Sequence, residues 1–336
     1  MRIAMLAPVA WRTPPYHYGP WELVTSLLTE ELVRQGIDVT LFATADSKTS
    51  AKLESIIPNG YEGNPKVDAK VAECLHISNC FEKASCFDLI HNNFDFLPLT
   101  YSPFVNVPVL TTIHGFSSPL IIPVFEKYNN STYYVSISNA DRARSLKYVR
   151  TIYHGIDIGQ FTFRNYDKGY LVFLGRIHPD KGAVEAIEIA KACGKELIMA
   201  GIIQDNAYYK NQVAPLIDNK TIHYIGSIGP SQRDELLGGA AALLHPINFN
   251  EPFGLVIIEA MACGTPSIAY IRGSMPELIV NGVNGFLVNN TEEAIRAVGQ
   301  IGSIKRVVCR KTVEEKFTVE RMTQEYIEVY KEILKK

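Results

Sequence analysis

The 336-residue chain is 47% hydrophobic and 20% charged, and its 33 basic against 35 acidic side chains leave a net charge of −2. That apolar content at so small a net charge excludes a disordered chain, and the lack of a basic excess excludes a dedicated nucleic-acid binder. At roughly 100–200 residues per domain the length implies two domains, each with its own core.

In chain order, Arg2–Ala7 reads as a buried strand. Prolines follow it too soon for the apolar core of a secretory signal. No run approaches the ~18–20 apolar residues of a membrane span, so a cytoplasmic location is the default expectation. Next, Leu23, Val24, Leu27, Leu28, Leu32 and Val33 recur at three- and four-residue spacing and predict a helix, with Gly36 suited to its C′ position. Further strands are expected at Asp38–Ala43, Leu89–Ile90, Val109–Ile113, Tyr133–Ile137 and Thr151–Tyr153. The segment His154–Lys168 lacks periodicity and reads as a linker. A second strand series follows at Tyr170–Leu174, Glu196–Ala200, Thr221–Ile225, Ala241–Leu244, Ser267–Tyr270 and Gly285–Val288. Helices fit between them at Ala183–Cys193, Asn206–Ile217, Ser231–Gly238, Leu255–Ala262 and Thr291–Gln300, and Thr318–Lys336 reads as one long terminal helix.

This alternation is the α/β pattern of two doubly wound parallel sheets. The expected domains are 1–160 and 161–317, with 318–336 as a separate helix. Ligands of such sheets sit outside the carboxyl ends of the strands. Cys74, Cys80 and Cys86 recur every six residues, about 600° around a helix, and Cys193, Cys263 and Cys309 stand alone. With no CxxC or His–Cys pair at zinc spacing, all six read as reduced thiols and no metal site is expected. The basic stretch Arg142, Arg144, Lys147 and Arg150, with Leu146 and Tyr148 among them, reads first as a solvated face and alternatively as a lipid-facing helix, so membrane association is left open but not predicted.

No G-x-G-x-x-G, Walker, G-x-S-x-G or H-E-x-x-H pattern is present at the required context, which removes the main support for dehydrogenase, P-loop kinase, hydrolase and zincin readings. The strongest positive signal runs from Glu251-Pro252-Phe253-Gly254-Leu255-Val256 through Glu259 to Pro266. Pro252 and Gly254 mark a helix start, whose backbone N–H groups can bind an anion or hydroxyls. Glu259 follows four apolar residues and precedes three more, so it is expected to be buried with a partner. If helical rise held throughout, Glu251 and Glu259 would lie about 12 Å apart. The second signal is Gly175-Arg176-Ile177-His178-Pro179-Asp180-Lys181-Gly182, a loop after a strand, whose fork and point charge suit phosphate oxygens. Gly201-Ile202 and Gly226-Ser227-Ile228, after their own strands, are candidates for lining a nucleobase pocket.

The paired glutamates, the Gly-Arg…Lys-Gly loop, Tyr18-Gly19 before the first helix and Thr112-Ile113-His114-Gly115 together resemble family 4 of the retaining glycosyltransferases. The resemblance spans nearly the whole chain. It implies the GT-B fold, two Rossmann-like domains facing across a cleft, with a terminal helix crossing back to the first. It implies that Glu259 holds the ribose of a nucleotide-sugar, that Glu251 and the backbone of Phe253, Gly254, Leu255 and Val256 hold the donor sugar and diphosphate, and that Arg176 and Lys181 clamp the phosphates. Gly19 would approach the diphosphate, although Pro20 stands where members often have a second glycine and so removes one donor. His114 would lie beside the reacting sugar. The acceptor side would fall in loops 10–19 and 92–106, with aromatics including Tyr16 and Tyr18.

The implied activity moves a hexose from a UDP- or GDP-linked sugar to a hydroxyl acceptor of unknown class. It keeps the anomeric configuration by a front-face route and needs neither cofactor nor metal. Alternatives are a sugar-nucleotide epimerase or a glycan phosphorylase on the same fold, or a non-catalytic sugar-binding protein.

Overall fold

A computed structural model describes residues 1–116 and 118–335. It divides the chain into two compact units, Met1–Gly155 with the segment from Val319 onward, and Ile156–Thr318. The first boundary therefore falls after Gly155 rather than after residue 160.

The first unit contains β1 (Arg2–Leu6), α1 (Pro20–Arg34), β2 (Asp38–Phe42), β3 (Lys52–Glu54), α2 (Ala69–Glu82), β4 (Leu89–Asn92), β5 (Val109–Ile113), α3 (Ile122–Tyr128), β6 (Tyr133–Ser136) and β7 (Tyr148–Thr151). Among the described residues the strands are all parallel, in the order β3-β2-β1-β4-β5-β6-β7. Ile3, Ala4, Met5 and Leu6 are all fully buried, the unbroken apolar run that a strand covered on both faces requires. Helix α1 ends as its sequence suggests. Gly36 N–H bonds to Val33 and Ile37 N–H to Leu32, a Schellman closure that delivers the chain into β2. Strand β7 starts at Tyr148, three residues before the expected Thr151, and the chain has left the sheet by Tyr153.

The second unit contains β8 (Leu171–Leu174), α4 (Ala183–Ala192), β9 (Leu197–Ala200), α5 (Asn206–Tyr208), β10 (Ile222–Tyr224), α6 (Pro230–Gly239), β11 (Ala242–His245), α7 (Leu255–Ala262), β12 (Ser267–Tyr270), α8 (Met275–Leu278), β13 (Gly285–Val288), α9 (Thr291–Gln300) and α10 (Arg306–Lys316). Its parallel strands run β10-β9-β8-β11-β12-β13, the doubly wound order with its switch point between β8 and β11. The single helix expected over Asn206–Ile217 is instead one α turn, a wider π segment at Tyr209–Val213 and a 3-10 turn at Ala214–Leu216. Pro215 explains the break, because it lacks the N–H an α-helix needs and its ring crowds the carbonyl four residues back.

The stretch read as a linker is tied down. Arg164 pairs with Asp234 at 3.0 Å, and Arg306 and Arg310 on α10 donate to the carbonyls of Arg164 and Phe161. The terminal helix α11 (Val319–Leu334) packs in the first unit against α1. Its Tyr330 hydroxyl meets His91 Nδ1 at 2.7 Å, His91 Nε2 meets Thr112 at 2.8 Å, and Thr112 meets the Tyr326 hydroxyl at 2.9 Å.

Candidate active site

In the second unit the switch point brings the β8–α4 and β11–α7 loops together. Lys181, at the end of the first, forms an ion pair with Glu251 in the second, and both side chains are nearly buried. Lys181 Nζ also lies 4.6 Å from the centre of the Phe249 ring. His245, the last residue of β11, places Nε2 3.6 Å from the same Glu251 oxygen. Burial alone would raise the Glu251 carboxyl, but Lys181 and His245 outweigh it and hold it down to about 2. Burial also lowers His245, so its imidazole is neutral at pH 7 despite the carboxylate beside it. Arg176 is half-buried in the same β8–α4 loop and hydrogen-bonds the Gln204 side chain.

Glu251 lies in the irregular turn ahead of α7, so helical rise begins only at Leu255. The 12 Å separation from Glu259, which assumed a helix throughout, therefore does not apply. Gly254 is the N-cap of α7 at φ +96°, a backbone conformation that favours glycine, whereas an added Cβ would meet only the flexible end of Met275. No side chain caps α7, and Leu255 and Val256 form its first turn. Phe253 is 3% exposed, its ring packs edge-on to Phe317, and its carbonyl accepts from Ser274 Oγ at 2.6 Å. Those contacts fix the turn that leads into α7.

Glu259 is 4% exposed and pairs with Arg233 Nη1 of α6 at 2.9 Å. The apolar run around Glu259 announced its burial, but nothing in the sequence pointed to Arg233, whose guanidinium also lies 5.4 Å from the Phe161 ring centre. Gly201 N–H donates to Gly226, and its carbonyl accepts from the Tyr224 hydroxyl at 2.7 Å. A Cβ on Gly201 would collide with the Gly175 carbonyl. This residue thus permits the β8 and β9 loops to touch, with its own polar groups engaged inside the protein. Ile228, 9% exposed, lies just before α6.

The first unit gathers the remaining residues. Gly19 is the N-cap of α1, where a Cβ would meet Glu22 Oε2 and Pro15 Cβ at 3.0 Å. Trp21, in the first turn of α1, stacks on His114 with ring centres 5.5 Å apart. His114 is 6% exposed and has its two nitrogens 3.1 Å from Asn93 Oδ1 and 3.4 Å from His154 Nε2. Burial lowers its pKa to about 3, so the ring is neutral and both its nitrogens have protein partners. Tyr18 is half-buried, whereas Tyr16 is 67% exposed and lies under the Arg12 guanidinium at 4.4 Å. Of the other histidines, His178 caps its own turn through Asp180 N–H, His17 is exposed, and His154 is buried against His114. Among the described residues no group of three or more His, Cys, Asp or Glu is arranged to hold a metal, and no helix is long and apolar enough to cross a membrane.

Comparison with known proteins points the same way. Residues 158–306 match the sequence model described as glycosyl transferases group 1. A D-inositol 3-phosphate glycosyltransferase of Mycolicibacterium smegmatis is 31% identical over 171 residues, covering 46% of this chain and 38% of that protein. The chain thus spans less than half the length of the first curated relatives it matches. An uncharacterised glycosyltransferase of Methanocaldococcus jannaschii is 25% identical over 95% of this chain and 97% of its own. The crystal structure of HepE from Anabaena in complex with UDP superposes with a TM-score of 0.76 at 21% identity, over 99% of this chain and 100% of that one. Residues 158–306 thus resemble the glycosyl transferases group 1 family, and the two Rossmann-like units have the GT-B fold.

Proposed function

We propose that the chain is a retaining glycosyltransferase that moves a hexose from a UDP- or GDP-linked sugar to a hydroxyl acceptor, without a metal ion. The observation that carries this reading is the buried Lys181–Glu251 pair at the switch point of the second unit, with Arg176 on the same loop and the uncapped start of α7 just beyond. HepE, of the same fold, was crystallised with UDP, which supports a nucleotide-sugar donor.

A diphosphate brought to this loop competes with Glu251 for Lys181. Arg176 and Lys181 then take the charge that builds on the leaving group, assisted by backbone N–H groups of α7. Glu251, ionised across the working range, accepts hydrogen bonds from donor-sugar hydroxyls, and Glu259, oriented by Arg233, accepts from the ribose. In the transfer step the bond from the anomeric carbon to the phosphate oxygen breaks. The acceptor oxygen bonds to that carbon on the same face, and the departing phosphate oxygen takes the acceptor proton. No covalent glycosyl-enzyme is needed, because both glutamates already have binding roles.

The test combines two measurements. UDP, GDP and ADP are compared for thermal stabilisation of the protein, since a ligand of the native state raises its stability. UDP-glucose and GDP-mannose are then assayed for nucleotide release with EDTA present. Stabilisation by one nucleotide and EDTA-insensitive release are expected, with product NMR showing a retained anomeric configuration. No stabilisation and no release with any of them would overturn the reading.

A further inference from the structure

The loop between β1 and α1 carries a buried charge that the chemistry above does not use. Arg12 is 7% exposed, and its Nε and Nη2 are buried without a hydrogen-bond partner. No ion pair with a carboxylate is found for it among the described residues, and its guanidinium lies over the face of Tyr16 at 4.4 Å. Arginine cannot escape this by losing its proton. A buried unpaired cation is among the most unfavourable groups a fold can carry, and a single tyrosine face is a weak substitute for a counter-ion.

Nε and Nη2 form one edge of the guanidinium, the edge that grips an oxyanion with two parallel hydrogen bonds. The same molecule shows that use at Arg34, where Nε and Nη2 hold the two Glu31 oxygens at 2.6 and 2.5 Å. At Arg12 the corresponding edge has no protein oxyanion. The loop around it is fixed. Trp11 N–H donates to Glu22 at 3.2 Å, Thr13 N–H to Ser47 at 2.9 Å, and the Thr13 carbonyl accepts from Lys48 at 2.9 Å. This loop leaves the carboxyl end of β1, beside the β1/β4 switch point, where doubly wound sheets bind ligands.

We propose that Arg12 binds an oxyanion of the acceptor, so that the acceptor is a hydroxyl compound bearing a phosphate or carboxylate. The proposal rests on the glycosyl-transfer reading for the word acceptor, while the anion site stands on Arg12 alone. That edge is closed to solvent in the ligand-free fold, so entry requires the side chains around it to give way.

The test titrates inorganic phosphate and acetate into the wild-type protein, R12Q and R12K at constant ionic strength, following thermal stability. UDP is titrated in parallel. Nucleotide release is then measured with glucose, glucose 6-phosphate or glucuronate as acceptor. Wild type is expected to bind at least one anion, and R12Q and R12K to lose tenfold or more of that affinity at unchanged UDP affinity. An anionic sugar is expected to outpace glucose at least tenfold in wild type only, and the better of the two identifies phosphate or carboxylate as the recognised group. Indifference of wild type to both anions, equal response of R12Q, or loss of UDP affinity in R12Q would each overturn the proposal. So would an R12Q protein that is unfolded or less stable in anion-free buffer, since removing an unpaired cation should not weaken the ligand-free fold. Absence of UDP binding in every protein would instead overturn the glycosyl-transfer reading, leaving the anion titration to decide Arg12.

Discussion

Lys181 and Glu251 form one buried contact on which both the stability of the second unit and the proposed chemistry depend. Each neutralises the other where water is largely excluded, so removing one leaves the other as an uncompensated charge. Lys181→Met is expected to cost about 3–5 kcal/mol of unfolding free energy. Adding Glu251→Gln in that background should restore most of the stability and none of the turnover. Denaturant unfolding of both singles and the double measures this, and purely additive losses would mean that the pair does not couple. Arg176 differs. It is half-buried with one side-chain partner, Gln204, so Arg176→Ala should change stability little. Turnover should fall by about 10²-fold, the scale for one lost oxyanion donor. Wild-type turnover would remove Arg176 from the leaving group.

At the scale of elements, the terminal helix is held by a polar chain as well as by apolar packing. Tyr330, His91, Thr112 and Tyr326 bond in sequence in a region closed to solvent. Tyr330→Phe keeps the ring and strands His91 Nδ1, at an expected cost of about 1–3 kcal/mol. An unchanged denaturation midpoint would show that the bond carries no net weight. None of this was legible in the sequence, because the partners lie up to 239 residues apart. The central strands were legible, because strands covered on both faces leave continuous apolar runs such as Ile3–Leu6. The edge strand β3 was missed, since a three-residue exposed-to-half-buried strand leaves no such run. Helices α2 and α10 were missed because charged and polar residues interrupt their apolar faces. Glu251, Lys181 and Arg176 could be singled out as local motifs, whereas Arg233 and Arg12 owe their significance to neighbours that only the folded chain supplies.

Over the whole molecule, the buried titratable groups are unevenly divided. His76, His91, His114 and His154 all lie in the first unit, with pKa values lowered by burial to about 4, about 3, about 3 and well below the usual value. Glu22, Asp95 and Asp141 lie there too, each raised by burial to about 7. The two sets act in opposite directions. A histidine neutral in the fold takes up a proton on unfolding below about pH 6.5, so its contribution is lost as pH falls. A carboxyl protonated in the fold releases one on unfolding above about pH 4, so its contribution is lost as pH rises towards 7. Between about pH 6.5 and 4.5 the four histidines oppose these three carboxyls and Glu325, which burial also raises. Glu31 and Glu54, held below their ordinary range by their basic partners, add to the acid loss, so the first unit should lose stability on acidification. In the second unit His245 is the one buried histidine, and Glu251, lowered to about 2, keeps contributing until pH falls below its ordinary range. The first unit should therefore melt at progressively lower temperature than the second as pH falls from 6.5 to 4.5. Both tryptophans, Trp11 and Trp21, lie in the first unit, so their fluorescence follows that unit alone while circular dichroism follows both. Glu22→Gln should steepen the acid loss, because it removes one of the opposing carboxyls, and should raise the fluorescence midpoint most above pH 7. A fluorescence midpoint that rises as pH falls from 6.5 to 5 would mean that the carboxyls, not the histidines, set the acid stability of this unit.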